Sequence, residues 1–305
     1  MMLRRTAFTA LALLVSIGVS LACAETRCAS AVCTVTATTN TGRHSEELRW
    51  VPLLQAFDFQ FAGNDRPPHL FAAGSLRPAG ARSPRRFYLE LADRDGNDRL
   101  SASARFAVYS ESWRGLRGIT DLNIGVERTV TRRGCRSSCN LTIPHYDRSR
   151  VRLVLTGFRF QYPREEHHLR KVGLWPIGAG GAITATFKDD DGAEPFDVTV
   201  SYVLLPGSWV GRSVIAYTNV TDDPAPVIAL GDFWRGYVPV LSGFMFSYSD
   251  GDEHIKRIGL SGTDRDFRFW LQDNNAGNRV SFDAYVYGLC RTRDAGDNIL
   301  FRECD

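Results

Sequence analysis

The chain has 305 residues, of which 44% are hydrophobic and 23% charged, and its formal net charge is +3 at pH 7. This composition is typical of a globular protein and excludes a disordered chain. A charge so close to zero gives no strong attraction to polyanions, so no nucleic-acid partner is expected.

The first residues have the layout of a secretory signal peptide. Two arginines precede an apolar stretch over residues 7–19, and small residues offer a cleavage site after residue 24. Cleavage there is favoured over lipid attachment at Cys23, because Ser20 stands where a lipoprotein signal has a branched aliphatic residue. The apolar stretch is too short to span a bilayer and no later stretch is apolar enough, so no membrane span is expected. We therefore expect a secreted or periplasmic protein.

Six cysteines remain after this signal, and they fall into three local pairs. An even number of cysteines in an exported chain predicts disulfides. Zinc binding by the close thiol pairs is the alternative, and an oxidising compartment disfavours it. The bridges would clip an N-terminal segment, a loop between repeats and the C-terminal tail. The short spacings favour the pairs Cys28–Cys33, Cys135–Cys139 and Cys290–Cys304.

Three stretches share an aromatic pattern that indicates a repeated unit. The pattern occurs at residues 56–61 (AFDFQF), 157–162 (GFRFQY) and 243–248 (GFMFSY). A pattern found at three places predicts one supersecondary unit that recurs along the chain. Each occurrence is followed by a His and, five residues later, by a Gly: His69 with Gly74, His168 with Gly173, and His254 with Gly259.

Each unit divides into four extended segments. The aromatic run alternates with period two, and so does the fourth segment, for example at residues 196–202, which predicts half-buried strands. The second segment holds the His and the Gly, and the third ends in an acidic turn. Convincing amphipathic helices are absent from the sequence. The sequence therefore predicts an all-β fold of about three repeated antiparallel β-sandwich-like units packed together.

The positions of the units set the expected domain boundaries. Because strand-like connectors follow the first two units, we assign those connectors to the unit that precedes them. The expected divisions are a signal peptide (1–24), an N-terminal segment (25–45), repeat 1 with its connector (46–134), repeat 2 with its connector (135–236), repeat 3 (237–290) and a C-terminal tail (291–305).

The third unit shows a distinct succession of strands. One strand covers residues 239–244 (PVLSGF), another covers 267–270 (FRFW), and the closing strand covers 282–287 (FDAYVY). This succession resembles the H-type lectin domain, a small antiparallel β-sandwich whose members associate as trimers and bind sugars, often N-acetylgalactosamine. The resemblance implies a lectin-like, carbohydrate-binding protein in which three copies in one chain stand in for a trimer.

Three kinds of side chain are candidates for ligand binding. Acidic turns can offer oxygens to Ca²⁺, although the same residues suit plain hairpin turns. One His from each unit could converge on a pseudo-threefold axis and bind a metal, or each could bond to nearby backbone. Tryptophans could stack on sugar rings or pack in the core. The candidates are Asp93, Asp95, Asp189, Asp191, Asp273 and Asn275 in the turns, His69, His168 and His254, and the tryptophans Trp175, Trp234 and Trp270.

No motif in the sequence identifies a reaction. It has no Gly-x-Ser-x-Gly elbow, phosphate-binding loop or His-Glu-x-x-His motif. We therefore expect a ligand-binding protein without evident catalysis, with glycans as partners. Two alternatives stay open: a structural or interaction component of the envelope with an envelope protein as partner, and a β-sandwich hydrolase whose carboxylate pair the sequence does not identify.

Overall fold

A computed structural model describes the chain between residues 23 and 304, with gaps. The described residues are 23–29, 32–39, 43–48, 50–61, 70–76, 85–92, 100–109, 124–162, 169–176, 181–188, 195–221, 227–229, 236–248, 257–262, 266–272, 279–293 and 299–304. Within these ranges the chain forms β-strands, turns and one short 3₁₀ turn. This part of the chain contains no helix that is long and apolar enough to cross a membrane.

The described strands number 20 and are named in chain order. The first ten are β1 (Cys23–Ala29), β2 (Val32–Thr39), β3 (Arg43–Leu48), β4 (Val51–Phe61), β5 (Leu70–Ser75), β6 (Arg85–Ala92), β7 (Leu100–Tyr109), β8 (Arg128–Arg136), β9 (Ser138–Thr142) and β10 (Val151–Gln161). The others are β11 (Lys171–Pro176), β12 (Ala182–Lys188), β13 (Pro195–Pro206), β14 (Val210–Thr221), β15 (Val227–Ala229), β16 (Tyr237–Tyr248), β17 (Arg257–Gly262), β18 (Asp266–Gln272), β19 (Arg279–Arg293) and β20 (Ile299–Phe301).

The strands form three six-stranded antiparallel sheets, which confirms the all-β prediction of three repeated units. Sheet 1 has the order β2-β7-β4-β17-β18-β15, with β1 added at its edge, and sheet 2 has the order β8-β13-β10-β5-β6-β3. Sheet 3 has the order β14-β19-β16-β11-β12-β9, and β20 pairs with β19. Sheets 2 and 3 are joined through the single pair Arg136 and Ser138, where β8 turns into β9.

Each sheet combines strands from two units. The second strand of unit 1 (β5) pairs with the aromatic strand of unit 2 (β10), and β11 of unit 2 pairs with β16 of unit 3. The second strand of unit 3 (β17) returns to pair with β4 of unit 1, which closes the cycle. The units are therefore fused into one pseudo-threefold body by exchanged strands, a feature that the sequence did not predict.

Three phenylalanines mark the centre of this pseudo-threefold arrangement. The ring centres of Phe57, Phe158 and Phe244 lie 4.9 Å, 4.9 Å and 4.8 Å from one another, and all three rings are buried. Such spacing suits edge-to-face packing, which favours close aromatic contact over a parallel sandwich. We call these residues the phenylalanine triangle. They are the first Phe of each predicted aromatic run, so the repeat pattern forms the common core.

The three aromatic strands share an irregularity just before the phenylalanine triangle. Their registers shift at residues 54–56, 155–157 and 241–243, the position of a β-bulge in each strand. The residues at the bulges, Gln55, Thr156 and Ser242, are polar and buried. The Gln55 amide nitrogen donates to the carbonyl of Pro239 at 2.7 Å, which links unit 1 to unit 3. The bulge is therefore part of the repeated unit.

Buried and half-buried residues alternate along β13, the fourth strand of unit 2, as the sequence predicts. In β13, Phe196, Val198 and Val200 are buried, whereas Asp197 and Thr199 are half-buried. One face of the strand therefore packs on the core.

One detail of the repeat alignment was wrong. Gly173 pairs with Met245 and Gly259 pairs with Asp58, in each case the residue directly after the first Phe of an aromatic run. In unit 1 the residue in this place is Ala72, which pairs with Arg159. Gly74 lies two residues further along and faces Gly157 across the bulge, with a positive φ of 98°. Its Cβ, if present, would lie 2.2 Å from a backbone oxygen, so this glycine is required by a close backbone approach rather than by the repeat.

Two of the three expected disulfides lie wholly within the described side chains. One links Cys135 to Cys139 at the junction of sheets 2 and 3, and another links Cys290 to Cys304, which attaches the C-terminal segment to β19. Cys33 is also disulfide-bonded, and Cys28 lies directly opposite it in the β1–β2 hairpin.

Candidate functional site

All nine predicted metal-binding residues lie outside the described part of the chain. Among the described residues, no group of three or more His, Cys, Asp or Glu side chains is arranged to hold a metal ion. The candidates outside the described residues are Asp93, Asp95, Asp189, Asp191, Asp273, Asn275, His69, His168, His254 and Trp234.

Trp270 is covered on one face by an arginine. The guanidinium carbon of Arg257 lies 3.4 Å from the centre of the indole ring, a cation–π contact. Asp58 fixes that guanidinium with two hydrogen bonds, from Nε at 2.8 Å and from Nη2 at 2.6 Å. A sugar ring could not stack on the face of Trp270 that Arg257 occupies, so this tryptophan is a weaker platform than the sequence indicated.

Trp175 lies in a different setting, on the face of sheet 3 opposite the buried Phe244 and Phe282. We call this the outer face of sheet 3. Alternation along β11 and β19 puts Trp175 and Tyr285 on this face, and both side chains are half-buried. Their ring centres lie 6.1 Å apart with the planes inclined by 30°. They therefore form one aromatic platform.

A glycine between the two rings allows this approach. Gly243 of β16 pairs with Tyr285, and its neighbour Phe244 pairs with the residue before Trp175. A Cβ at position 243 would lie 2.5 Å from Cδ of Pro176, so no larger residue fits without movement. The glycine that opens the third aromatic run thus leaves the two rings side by side.

Hydrogen-bonding side chains continue the row beyond Trp175. Thr184 of β12 pairs with Trp175 in the sheet register, and Asn140 of β9 pairs with Thr184. The Thr184 hydroxyl donates to the amide oxygen of Asn140 at 3.1 Å, and Asn140 is exposed. Amide and hydroxyl groups can both donate and accept hydrogen bonds, so this end of the platform can bind polar groups of a ligand.

Arg148 flanks the other end of the platform. Its Nη2 donates to the hydroxyl of Tyr285 at 3.1 Å, and its guanidinium carbon lies 5.8 Å from the centre of that ring. Arg148 belongs to the segment between β9 and β10, where Arg152 donates to the Arg148 carbonyl. The sequence did not indicate this residue, because its position next to β19 depends on tertiary packing.

A cluster of buried hydroxyl groups lies beside Tyr285. Burial raises the pKa of Tyr146 and the pKa of Tyr287, so both phenols stay protonated at neutral pH. The ring centres of Tyr285 and Tyr287 are 5.0 Å apart. The hydroxyls of Tyr146, Tyr287 and Ser242 lie near one another, and Tyr287 interacts with the other two.

The same face carries opposite charges on the far side of the platform. Burial raises the pKa of Asp283, and the nearby Lys171 ammonium partly offsets this effect. Both side chains are half-buried, and Lys188 lies directly opposite Lys171 on the next strand. The outer face of sheet 3 is therefore aromatic at its centre and charged at its border.

At the equivalent described positions, the other two sheets carry no pair of aromatic residues. In sheet 2, the positions that match Tyr285 and Trp175 are Ser201 and Gly74, and in sheet 1 they are Arg105 and Ser261. Among these three sets of equivalent positions, only the one in sheet 3 therefore carries an aromatic platform.

Comparison with known proteins does not assign the chain to a family. No protein-family model matches it, and a search of curated proteins returns no match.

Proposed function

We propose that this is an exported, lectin-like protein that binds carbohydrate through the aromatic platform on the outer face of sheet 3. The observation that carries the proposal is the pair of half-buried rings, Trp175 and Tyr285, with centres 6.1 Å apart. Aromatic rings of this kind offer a rigid apolar surface together with polar groups at the edge. A pyranose has the matching character, since its ring faces are apolar and its hydroxyls lie around the rim.

Polar groups at both ends of the platform support a sugar as ligand. Thr184 and Asn140 continue the row at one end, and Arg148 lies at the other. Ligand sites commonly combine an apolar surface with a few fixed polar groups that set orientation. The rings would hold the sugar, and these side chains would select the arrangement of its hydroxyls.

The disulfides support the exported part of the proposal. Bonds between Cys135 and Cys139 and between Cys290 and Cys304 require an oxidising compartment to form and persist. The apolar stretch at residues 7–19 has the layout of a secretory signal. A protein outside the cytoplasm meets cell-surface and environmental polysaccharides, which are the partners that the proposal requires.

A glycan array and polysaccharide pull-downs with the protein lacking residues 1–24 test the proposal, each with and without Ca²⁺. We expect binding to a subset of glycans, and the array should include N-acetylgalactosamine. Replacing Trp175 by Ala should weaken binding by about tenfold or more, because one lost aromatic contact is worth roughly 0.5–1.5 kcal/mol and the ring also buries sugar surface. Trp175→Phe should retain part of the affinity.

The matched control is Trp50→Ala. Trp50 is 46% exposed and precedes β4 in sheet 1, so its loss removes an exposed indole without touching the platform. Its affinity should stay within about twofold of the wild-type value, and unchanged thermal unfolding would show that both variants are folded. Binding to no glycan, with or without Ca²⁺, would contradict the proposal. Equal glycan affinities of the Trp175→Ala variant and the wild-type protein would also contradict it. Capture of a stoichiometric envelope protein instead would favour an interaction component.

A further inference from the structure

Asp283 borders the aromatic platform on its charged side. We propose that this residue determines specificity: its carboxylate accepts hydrogen bonds from two adjacent hydroxyl groups of a neutral sugar that stacks on Trp175 and Tyr285. The proposal rests on the carbohydrate-binding function above, and it adds a ligand-binding residue and the class of sugar that this residue selects.

The sheet register places Asp283 next to the platform. It lies two residues before Tyr285 in β19, so both side chains project from the outer face of sheet 3, about 7 Å apart along the strand. Across the sheet, Asp283 pairs with Met245, and Met245 pairs with Gly173, which lies two residues before Trp175. The cross-strand row that contains Asp283 is therefore the direct neighbour of the row that contains the two rings.

Met245 continues the apolar surface from the rings towards Asp283. A Cβ at position 173 would lie 2.8 Å from Sδ of Met245, so the methionine side chain lies over Gly173. The thioether of methionine is only a weak hydrogen-bond acceptor. Hydroxyl groups at this rim of a stacked sugar therefore meet Asp283 as the first strong acceptor along β19.

The Asp283 carboxylate keeps its hydrogen-bonding capacity for a ligand. Its side chain is half-buried, and Lys171 acts on it through charge, although these two described side chains form no ion pair or hydrogen bond with each other. Burial raises the pKa of Asp283, so the ionised form is held on this face at a cost to stability. Ionisable groups held in such surroundings are common in functional sites.

The charges around Asp283 favour a neutral sugar. A carboxylate accepts hydrogen bonds and donates none, so its ligand must present donors. The ammonium group of an amino sugar is one such donor, but Lys171 and Lys188 pair with each other on the same face and would repel it. A carboxylate or sulfate of an acidic sugar would be repelled by Asp283 itself. Two adjacent hydroxyls can each donate to one carboxylate oxygen and bring no charge to the site.

A glycan array that carries neutral glycans, glycans with a carboxylate or sulfate, and glycans with a free amino group separates these classes. We expect the tightest ligands to be neutral and to have two adjacent free hydroxyls. Counterparts in which one of these hydroxyls is methylated or missing should bind more weakly by about tenfold or more, because a site that hydrogen-bonds a hydroxyl discriminates strongly against its loss. Counterparts with an amino or acidic group should be weaker by a similar factor.

Asp283→Asn is the critical variant, because the amide keeps the shape of the carboxylate and loses its charge. It should lower affinity for the neutral glycans by about tenfold or more, the range expected for hydrogen bonds to a charged group. Its midpoint of thermal unfolding at pH 7 should stay at or above the wild-type value, because the substitution removes a half-buried charge. Weaker binding without lower stability separates a binding role from a structural one.

The matched control is Asp197→Asn. Asp197 is also half-buried and lies in β13, on the outer face of sheet 2, where its carboxylate accepts a hydrogen bond from the backbone nitrogen of Gly134 at 2.9 Å. This variant should change glycan affinity by less than about twofold, because the residue lies on a different sheet from the platform. Asp283→Glu keeps the charge on a longer side chain and should retain part of the affinity.

Three results would overturn the inference while leaving the proposed function intact. The first is tightest binding to acidic or amino-bearing glycans. The second is equal glycan affinity of the Asp283→Asn and Asp197→Asn variants. The third is equal binding of neutral glycans with and without adjacent free hydroxyls. Binding to no glycan would instead contradict the proposed function itself.

Discussion

The phenylalanine triangle allows a quantitative test of the pseudo-threefold core. We consider Phe158→Leu, which keeps an apolar side chain of similar size but removes the ring. The Phe158 ring lies 4.9 Å from each of Phe57 and Phe244. The ring also lies 5.8 Å from that of Phe71 and 6.2 Å from that of Phe160. Each aromatic pair is worth about 0.5–1.5 kcal/mol beyond burial, so losing the two closest pairs alone should lower the free energy of unfolding by about 1–3 kcal/mol.

The geometry also predicts how two such substitutions combine. Phe57→Leu alone should lower the free energy of unfolding by a similar amount. In a protein that already carries Phe158→Leu, the further loss should be smaller by about 0.5–1.5 kcal/mol, because the Phe57–Phe158 ring pair is already absent. Phe196 is a matched control, since it is equally buried but contacts the rings of Phe160 and Phe187. Phe57→Leu and Phe196→Leu should therefore add within about 0.5 kcal/mol.

Equilibrium unfolding in guanidinium chloride with the disulfides intact measures these free energies. Unchanged m-values would show that the variants differ in stability rather than in the extent of unfolding. If the effects of Phe57→Leu and Phe158→Leu on stability add as closely as those of Phe57→Leu and Phe196→Leu, the three rings do not form a common core and the reasoning is refuted.

Two further predictions concern buried charges. Arg85 donates a hydrogen bond to Glu127 at 2.5 Å, and both side chains are buried. Glu127→Gln should therefore lower the free energy of unfolding by about 3 kcal/mol. Glu303 is exposed, so Glu303→Gln should lower it by less than about 1 kcal/mol in the same denaturant titration. Burial raises the pKa of Asp283 despite Lys171, so its ionisation favours the unfolded state, and stability increases as the pH falls through the folded-state pKa. Asp283→Asn should consequently be more stable than wild type at pH 7 and should lose this advantage in acid, and an advantage that is independent of pH would contradict the assignment.

The strands and the core were predictable because they depend on local pattern. Period-two alternation in β13 identified Phe196, Val198 and Val200 as core residues, and the repeated aromatic runs contained the phenylalanine triangle. Pairing partners were not predictable in the same way. Alternation specifies which face of a strand is buried, but not which neighbour completes its hydrogen bonds. The exchange of β5, β11 and β17 between units therefore became evident only in the fold.

The platform shows the same limit at the level of single residues. Trp175 and Trp270 were equal candidates in the sequence, yet Arg257 covers a face of Trp270 and Tyr285 lies beside Trp175. Tyr285 is far from Trp175 along the chain, and only the register through Gly243 brings the two rings together. Side chains that meet through a shared sheet are visible in sequence only once that register is known.

The most direct test of the account is a crystal structure of the protein with an oligosaccharide from the glycan that it binds best. The account predicts electron density for a sugar ring against Trp175 and Tyr285, with Asn140 within hydrogen-bonding distance of its hydroxyls. Density for the sugar on sheet 1 or sheet 2, with the Trp175–Tyr285 platform bare, would contradict it.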